Sequence, residues 1–313
     1  IENSVSYLLL SAILLVPLKG MLIRQAGVLN GFGRPLLAQS VQVFVTSFTL
    51  IILFFFIIFV DAELTPQKLF FIFIASSLLS CFITSILIDK TKDSSVKKCE
   101  PQYNMKTWNS SLLPFSIMVI VGTTNVELAN VIIGWTGDHE SVGYFRIAML
   151  ATGLLAIGLN SVNVVVGPQI AKLYKNGELE ASQKLLTKSV RLSVLFTAPM
   201  ILSIILLGEP LIGFFFGGDY LDAYPVLVIL CLGALLNALM GSVALVLNMT
   251  GNEKPALISS IAALIINFIF LFTLVPIYGA VGAAVSVLIG LGCWNVIMAA
   301  NVWKLTKLKT WIK

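Results

Sequence analysis

The chain has 313 residues, of which 58% are apolar and only 11% are charged. Soluble globular chains have roughly 45–50% apolar and about 25% charged residues, so this composition excludes an ordinary soluble domain. The net charge of +5 does not indicate nucleic-acid binding, because the basic residues alternate with long apolar segments. The four cysteines are scattered and there is a single histidine, which gives no support to a disulfide framework or a metal site.

Nine segments are long and apolar enough to cross a bilayer as helices, which takes about 20 residues each. Their apolar residues form continuous runs without two-residue alternation, and this favours helices over the strands of a membrane barrel. The sequence therefore predicts an all-α polytopic membrane protein. The predicted spans are Ser6–Leu29, Pro35–Val60, Leu69–Ile88, Ser111–Trp135, Val142–Val166, Leu185–Leu207, Asp222–Leu247, Pro255–Val275 and Val281–Val302.

The charges of the connections predict the orientation in the membrane. Eighteen of the 20 basic residues lie in connections on one side, whereas the other side is mainly acidic, as at Asp138 and Glu209. Because basic connections stay in the cytoplasm, the C-terminus is predicted to be cytoplasmic and residue 1 to be outside. On the inner side, the polar segment Gln169–Lys188 has an amphipathic pattern and is predicted to lie along the membrane surface.

Two helix ends have similar sequences. Residues 28–35 and 246–255 each begin with Val-Leu-Asn and continue through a glycine and a basic residue to a proline that opens the next helix. Any short turn between helices selects glycine and proline, but the match also fits a parallel internal repeat with an offset of six helices. On that interpretation the complete protein has twelve helices, three of which precede residue 1.

The repeat and the polar stretch after the third span predict the domain organisation. Residues 1–90 would be the last three helices of an N-terminal lobe, residues 91–109 a cytoplasmic linker, and residues 110–313 a C-terminal lobe of six helices. The two six-helix lobes of the complete protein are expected to be pseudo-symmetric.

Several motifs carry a family resemblance, namely Ser111–Phe115, Val142–Ala148, Gly167–Ala171, Phe214–Tyr220 and Leu247–Pro255. In this order and spacing, the chain resembles the polysaccharide-transporter (O-antigen) flippases. That family belongs to the multidrug/oligosaccharidyl-lipid/polysaccharide exporter superfamily, which also holds multidrug extruders and the lipid II flippase. The resemblance implies two six-helix lobes around a central cavity that work by alternating access. It also implies a bacterial or archaeal cytoplasmic membrane and a cargo of undecaprenyl-diphosphate-linked oligosaccharide for O-antigen, capsule or exopolysaccharide.

Two charged residues, Glu127 and Arg146, lie well inside predicted helices. A charge at that depth is costly unless it is paired or hydrated, so both are candidates for function. The two helices form a hairpin that turns near Asp138, which gives the residues similar depths and makes an ion pair feasible. The pair is either structural, or Arg146 faces the cavity and attracts diphosphate while Glu127 tunes it or accepts a coupling proton. Family members commonly have Asp where Glu127 stands.

Other polar residues complete the candidate site. Their amides and charges either contact the substrate or have structural roles: the asparagines can bind sugar hydroxyls or join helices, and the two cations can line an inward-facing vestibule or extend to anionic lipid. These substrate-binding candidates are Asn125, Asn130, Asn160, Asn163, Lys19 and Arg24.

The expected partners are the lipid-linked glycan, membrane lipids and polysaccharide-assembly proteins, with no nucleic acid. No metal or cofactor is predicted, and coupling to an H+ or Na+ gradient remains open. A cation-coupled multidrug extruder of the same superfamily is the alternative function. A membrane enzyme such as a glycan polymerase is disfavoured, because the outer connections are short and contain no cluster of catalytic residues.

Overall fold

The computed structural model describes residues 2–59, 65–92, 103–136 and 139–311. These residues form helices and short turns without a strand, so the predicted all-α polytopic fold is confirmed. Most of the predicted linker, the turn at Asp138 and the last two residues lie outside the described ranges. The chain divides into two compact units, Ile1–Tyr103 and Asn104–Lys313, here called unit 1 and unit 2.

The described residues of unit 1 form four helices, α1 (Glu2–Gly31), α2 (Pro35–Ser40), α3 (Thr46–Phe59) and α4 (Pro66–Thr91), with a π-helical turn between α2 and α3. Polar side chains join these apolar helices. The buried Gln25 amide of α1 donates hydrogen bonds to the Cys81 carbonyl at 3.2 Å and to Ser85 Oγ at 2.8 Å, both on α4. The Thr49 and Ser76 hydroxyls of α3 and α4 lie 2.7 Å apart. Hydrogen bonds between helices are a common means of association in a medium as apolar as the side chains themselves.

Unit 2 contains the helices α5 (Met105–Trp135), α6 (His139–Lys175), α7 (Leu179–Phe216), α8 (Ala223–Met240), α9 (Val243–Met249) and α10 (Glu253–Thr306). Two apolar clusters hold them together. One surrounds the fully buried Phe145 and joins α5 to α8 and α10. The other surrounds Ile170 and Leu186 and includes α9 and the segment after α10.

Helix α10 contains two membrane spans. Its 54 residues would extend about 80 Å as one rod, whereas the hydrocarbon core is about 30 Å thick. Gly279 interrupts it with φ 53° and ψ −130°, a conformation that residues with a side chain rarely adopt. With α10 counted as two, the described residues provide the nine predicted spans.

Two local predictions were wrong. The span Asp222–Leu247 is not continuous, because α8 ends at Met240 and α9 starts at Val243. The segment Gln169–Lys188 is not a surface helix, since α6 continues to Lys175 and α7 starts at Leu179. Its apolar residues Ile170 and Leu186 are buried inside unit 2 instead of facing lipid, which explains the difference.

Candidate functional site

The predicted ion pair between Glu127 and Arg146 is present in unit 2. Arg146 Nη1 on α6 donates to Glu127 Oε1 on α5 at 3.2 Å. The second carboxylate oxygen accepts a hydrogen bond of 3.1 Å from Asn130 Nδ2, one helical turn further along α5. Three of the predicted site residues therefore form one connected group.

The hairpin of α5 and α6 brings these residues together. Glu127 lies eight residues before the end of α5, and Arg146 lies seven residues after the start of α6, so they have nearly the same depth. On α6, the neighbours Phe145 and Ile147 are buried in the core, which leaves Arg146 on the outside of unit 2. The apolar core thus fixes the orientation of the charged side chain.

The exposure of the Glu127–Arg146 pair indicates what surrounds it in the membrane. The Arg146 and Glu127 side chains are 53% and 54% exposed in unit 2. A charge in the middle of the hydrocarbon costs about 3 kcal/mol on insertion scales, and the attraction between two desolvated charges repays their lost hydration only where further hydrogen bonds satisfy both groups. Because about half of each side chain is exposed in unit 2, we expect this face to contact water or polar groups.

This expectation can be tested by the Glu127→Gln substitution. If the face is hydrated, Arg146 is solvated without its partner, and the free energy of unfolding in bicelles should fall by less than about 1 kcal/mol. If the face contacts hydrocarbon, an unpaired guanidinium remains there and the loss should approach about 3 kcal/mol. Glu140→Gln, at the exposed start of α6, is the matched control for removal of a carboxylate.

Two of the predicted asparagines connect helices. Asn267 of α10 is buried and donates through Nδ2 to Asn125 Oδ1 of α5. Ser242, in the interruption between α8 and α9, donates through Oγ to Asn163 Oδ1 of α6. Asn125 and Asn163 thus have structural contacts that favour the helix-joining interpretation, whereas Asn160 is exposed on α6.

The contribution of the Asn125–Asn267 hydrogen bond can be measured by a double-mutant cycle with alanine at both positions. We expect a coupling of about 0.5–2 kcal/mol in the free energy of unfolding, as for other hydrogen bonds between membrane helices. The cycle of Asn160→Ala with Asn267→Ala should give additive effects within about 0.5 kcal/mol. Additivity in the first cycle would show that the two amides do not stabilise each other.

Lys19 and Arg24 lie on α1 of unit 1, and both are exposed. Both the lipid-facing and the vestibule interpretations remain predictions. Gln25, the neighbour of Arg24, was not predicted as a polar contact, although a lone amide in a predicted membrane helix indicates one. Asn267 was missed in the same way, and its position in the apolar run of residues 265–272 was the available signal.

Fold and site together define a multi-pass α-helical membrane protein with charged and amide side chains inside its spans. Residues 69–225, half of the chain, match the model of a family described as polysaccharide biosynthesis protein. The chain belongs to that family.

Two named relatives agree with this assignment, and a solved structure shares the fold. Over 247 residues the chain is 24% identical to the capsular polysaccharide biosynthesis protein CapF of Staphylococcus aureus, a match covering 76% of this chain and 60% of CapF. It is 25% identical over 158 residues to the probable low-salt glycan biosynthesis flippase Agl15 of Haloferax volcanii, covering 50% of this chain and 33% of Agl15. The crystal structure of a MATE mutant matches with a TM-score of 0.76 at 15% identity, over 96% of this chain and 69% of that one, and shows a shared fold. The chain thus spans less than two thirds of either named relative.

Proposed function

We propose that the protein to which this chain belongs is a flippase for an undecaprenyl-diphosphate-linked oligosaccharide, such as a repeat unit of O-antigen, capsule or exopolysaccharide. The charges and hydroxyls of such a head group lose their hydration in hydrocarbon, which prevents unassisted crossing. A protein that offers a hydrated polar path by alternating access removes this barrier while the polyprenyl chain stays in lipid. The family assignment and the names of CapF and Agl15 support this class of cargo.

The observation that carries the proposal is the half-exposed Arg146 beside Glu127. A guanidinium presents N–H donors in a planar arrangement that matches two phosphate oxygens, and its charge does not depend on pH. Glu127 engages one terminal nitrogen of Arg146, and the exposed part of the side chain can approach an anionic head group. Arg146 is therefore proposed to bind the diphosphate.

Glu127 competes with the diphosphate for Arg146. Between transport events its carboxylate balances the charge of Arg146, and an arriving diphosphate competes with it for the guanidinium. That competition weakens the binding of the diphosphate and so favours release on the far side. Asn130 holds the second carboxylate oxygen and keeps Glu127 within reach of Arg146.

The family resemblance and the charge pattern support the remaining assignments. We propose a bacterial or archaeal cytoplasmic membrane because the resemblance implies one, and a cytoplasmic C-terminus because the basic connections lie on that side. Membrane lipids and polysaccharide-assembly proteins are its proposed partners. Asn160, Lys19 and Arg24 are exposed and are proposed as further contacts to the sugar or its phosphates.

The proposal is tested by deleting the gene in its host and measuring lipid-linked glycan on each leaflet. We expect the glycan to accumulate on the inner leaflet and the wild-type gene to reverse this, whereas a gene with Arg146→Ala should not. Unchanged glycan together with greater sensitivity to cationic dyes would contradict the flippase and favour the multidrug extruder. In unit 2 the carboxylate of Glu127 already has two partners, which leaves it less available to a cationic drug.

A further inference from the structure

The interruption between α8 and α9 is held by contacts from other parts of unit 2. Gly241 has φ 71° and ψ −160°, which ends α8 at Met240, and α9 starts three residues later at Val243. Helix carbonyls next to such a break lack their regular partners, so neighbouring groups determine the local geometry. One such contact is the hydrogen bond from Ser242 Oγ to Asn163 of α6.

The segment after α10, residues 307–311 and here called the strap, packs directly against this interruption. A Cβ atom on Gly241 would lie 2.6 Å from the Thr310 carbonyl oxygen and 2.5 Å from Val190 Cγ2 of α7. The strap backbone therefore touches the interruption at a distance that only glycine permits. Leu308 is buried in the same apolar cluster as the residues of α9.

A single side chain of α7 holds the strap in place. Gln183 donates through Nε2 to the Lys309 carbonyl at 2.8 Å and accepts through Oε1 from the Lys309 N–H at 2.8 Å. These two bonds satisfy the backbone of Lys309 much as a neighbouring strand would. The strap has no helical hydrogen bonds of its own beyond the turn at Lys307. Loss of the Gln183 bonds therefore leaves apolar packing and the 3.3 Å bond that the Leu308 N–H donates to Thr306 Oγ1 to hold it.

We propose that the strap is a latch, fastened by Gln183, that keeps α8 and α9 in the observed arrangement, and that it must release for α9 to move against α8. The requirement that the latch releases during transport rests on the proposed flippase function. A short helix behind a glycine interruption, joined to the next span by a tight turn at Gly251, can change direction without breaking a long helix. Release of the strap from Gln183 would allow α9 to change direction.

The first test measures amide hydrogen exchange of the full-length protein in nanodiscs. Gln183→Leu removes both bonds at similar side-chain volume, and we expect exchange in residues 241–250 and 307–311 to become about tenfold faster or more. Gln169→Leu is the matched control, because Gln169 is an exposed glutamine on the adjacent helix α6. Equal exchange in wild type and Gln183→Leu would overturn the proposal, whether or not the protein moves glycan lipids.

The second test closes the latch permanently. In a variant with its native cysteines replaced, Gln183→Cys and Lys309→Cys are joined by a short methanethiosulfonate cross-linker that reduction removes. We expect exchange in residues 241–250 to slow by about tenfold on cross-linking, and glycan-lipid translocation to fall by about tenfold and recover on reduction. Undiminished translocation by the cross-linked protein would show that the latch need not release during transport. If the wild type does not translocate glycan lipid at all, the flippase function is contradicted, and the hydrogen-exchange result alone tests the latch.

Discussion

Substitution of Arg146 by glutamine is expected to slow translocation of a diphosphate-linked glycan by roughly ten- to a hundredfold. Hydrogen bonds to a charged group contribute about 1.5–3 kcal/mol, and about 1.4 kcal/mol corresponds to a factor of ten. Arg146→Lys keeps the charge but loses the planar pair of donors, so an intermediate rate is expected. The measurement is the transfer of a fluorescent polyprenyl-diphosphate sugar between the leaflets of proteoliposomes.

The control for this series is Arg191→Gln. Arg191 is an exposed arginine of α7 within the same unit, and it belongs to the basic residues predicted to determine orientation. Its loss should leave the rate within about twofold of wild type, because Arg191 is not among the residues proposed to contact the head group and a single exposed charge contributes little to stability. A similar reduction in both variants would assign the effect to the net charge of the protein and would contradict a specific contact of Arg146 with diphosphate.

The Gly241→Ala substitution is expected to lower the free energy of unfolding by about 2–6 kcal/mol. The backbone conformation of Gly241, φ 71° and ψ −160°, is essentially confined to glycine and costs a residue with a side chain roughly 1–3 kcal/mol, and a methyl group forced into a filled space adds about 1–3 kcal/mol. The added methyl carbon would lie 2.5 Å from Val190 Cγ2 and 2.6 Å from the carbonyl oxygen of Thr310. Packed carbon atoms are about 3.5–4.0 Å apart, so both contacts would be severe clashes. Unfolding in bicelles with increasing sodium dodecyl sulfate measures the change.

Gly177→Ala separates the two contributions. Gly177, in the turn between α6 and α7, has φ +75° but nothing within 4 Å of the position that a Cβ would take. Only the conformational cost of roughly 1–2 kcal/mol should appear there. An equally small loss for Gly241→Ala would mean that the strap moves aside easily and does not press on the interruption.

The number and approximate positions of the spans could be predicted from the sequence because lipid imposes a simple requirement. A backbone in hydrocarbon must satisfy its hydrogen bonds internally, so a long apolar run is a helix whatever its neighbours are. The pairing of Glu127 and Arg146 also follows from the sequence, because similar distances from the facing ends of α5 and α6 give the two residues similar depths.

Contacts between helices that are distant in the sequence could not be predicted. Gly241 lies in an apolar run that is compatible with a continuous helix, and its conformation depends on the approach of Val190 and Thr310. Nothing local in the sequence indicates that Gln183 contacts Lys309, which is 126 positions away. The partners of Asn125 and Asn163 were missed for the same reason. An amide in a membrane helix indicates that a hydrogen-bonding partner exists but does not identify that partner.

The lengths of α6 and α7 have a practical consequence. With 37 and 38 residues, each helix extends about 55 Å, well beyond the roughly 30 Å of hydrocarbon. The polar residues that surround the turn at Gly177 indicate that the surplus lies at that end, where both helices emerge from the headgroup layer. A small soluble domain fused through continuous helices into this turn would be rigidly attached, and it would provide an alignment marker for electron cryomicroscopy of a protein otherwise hidden in its micelle.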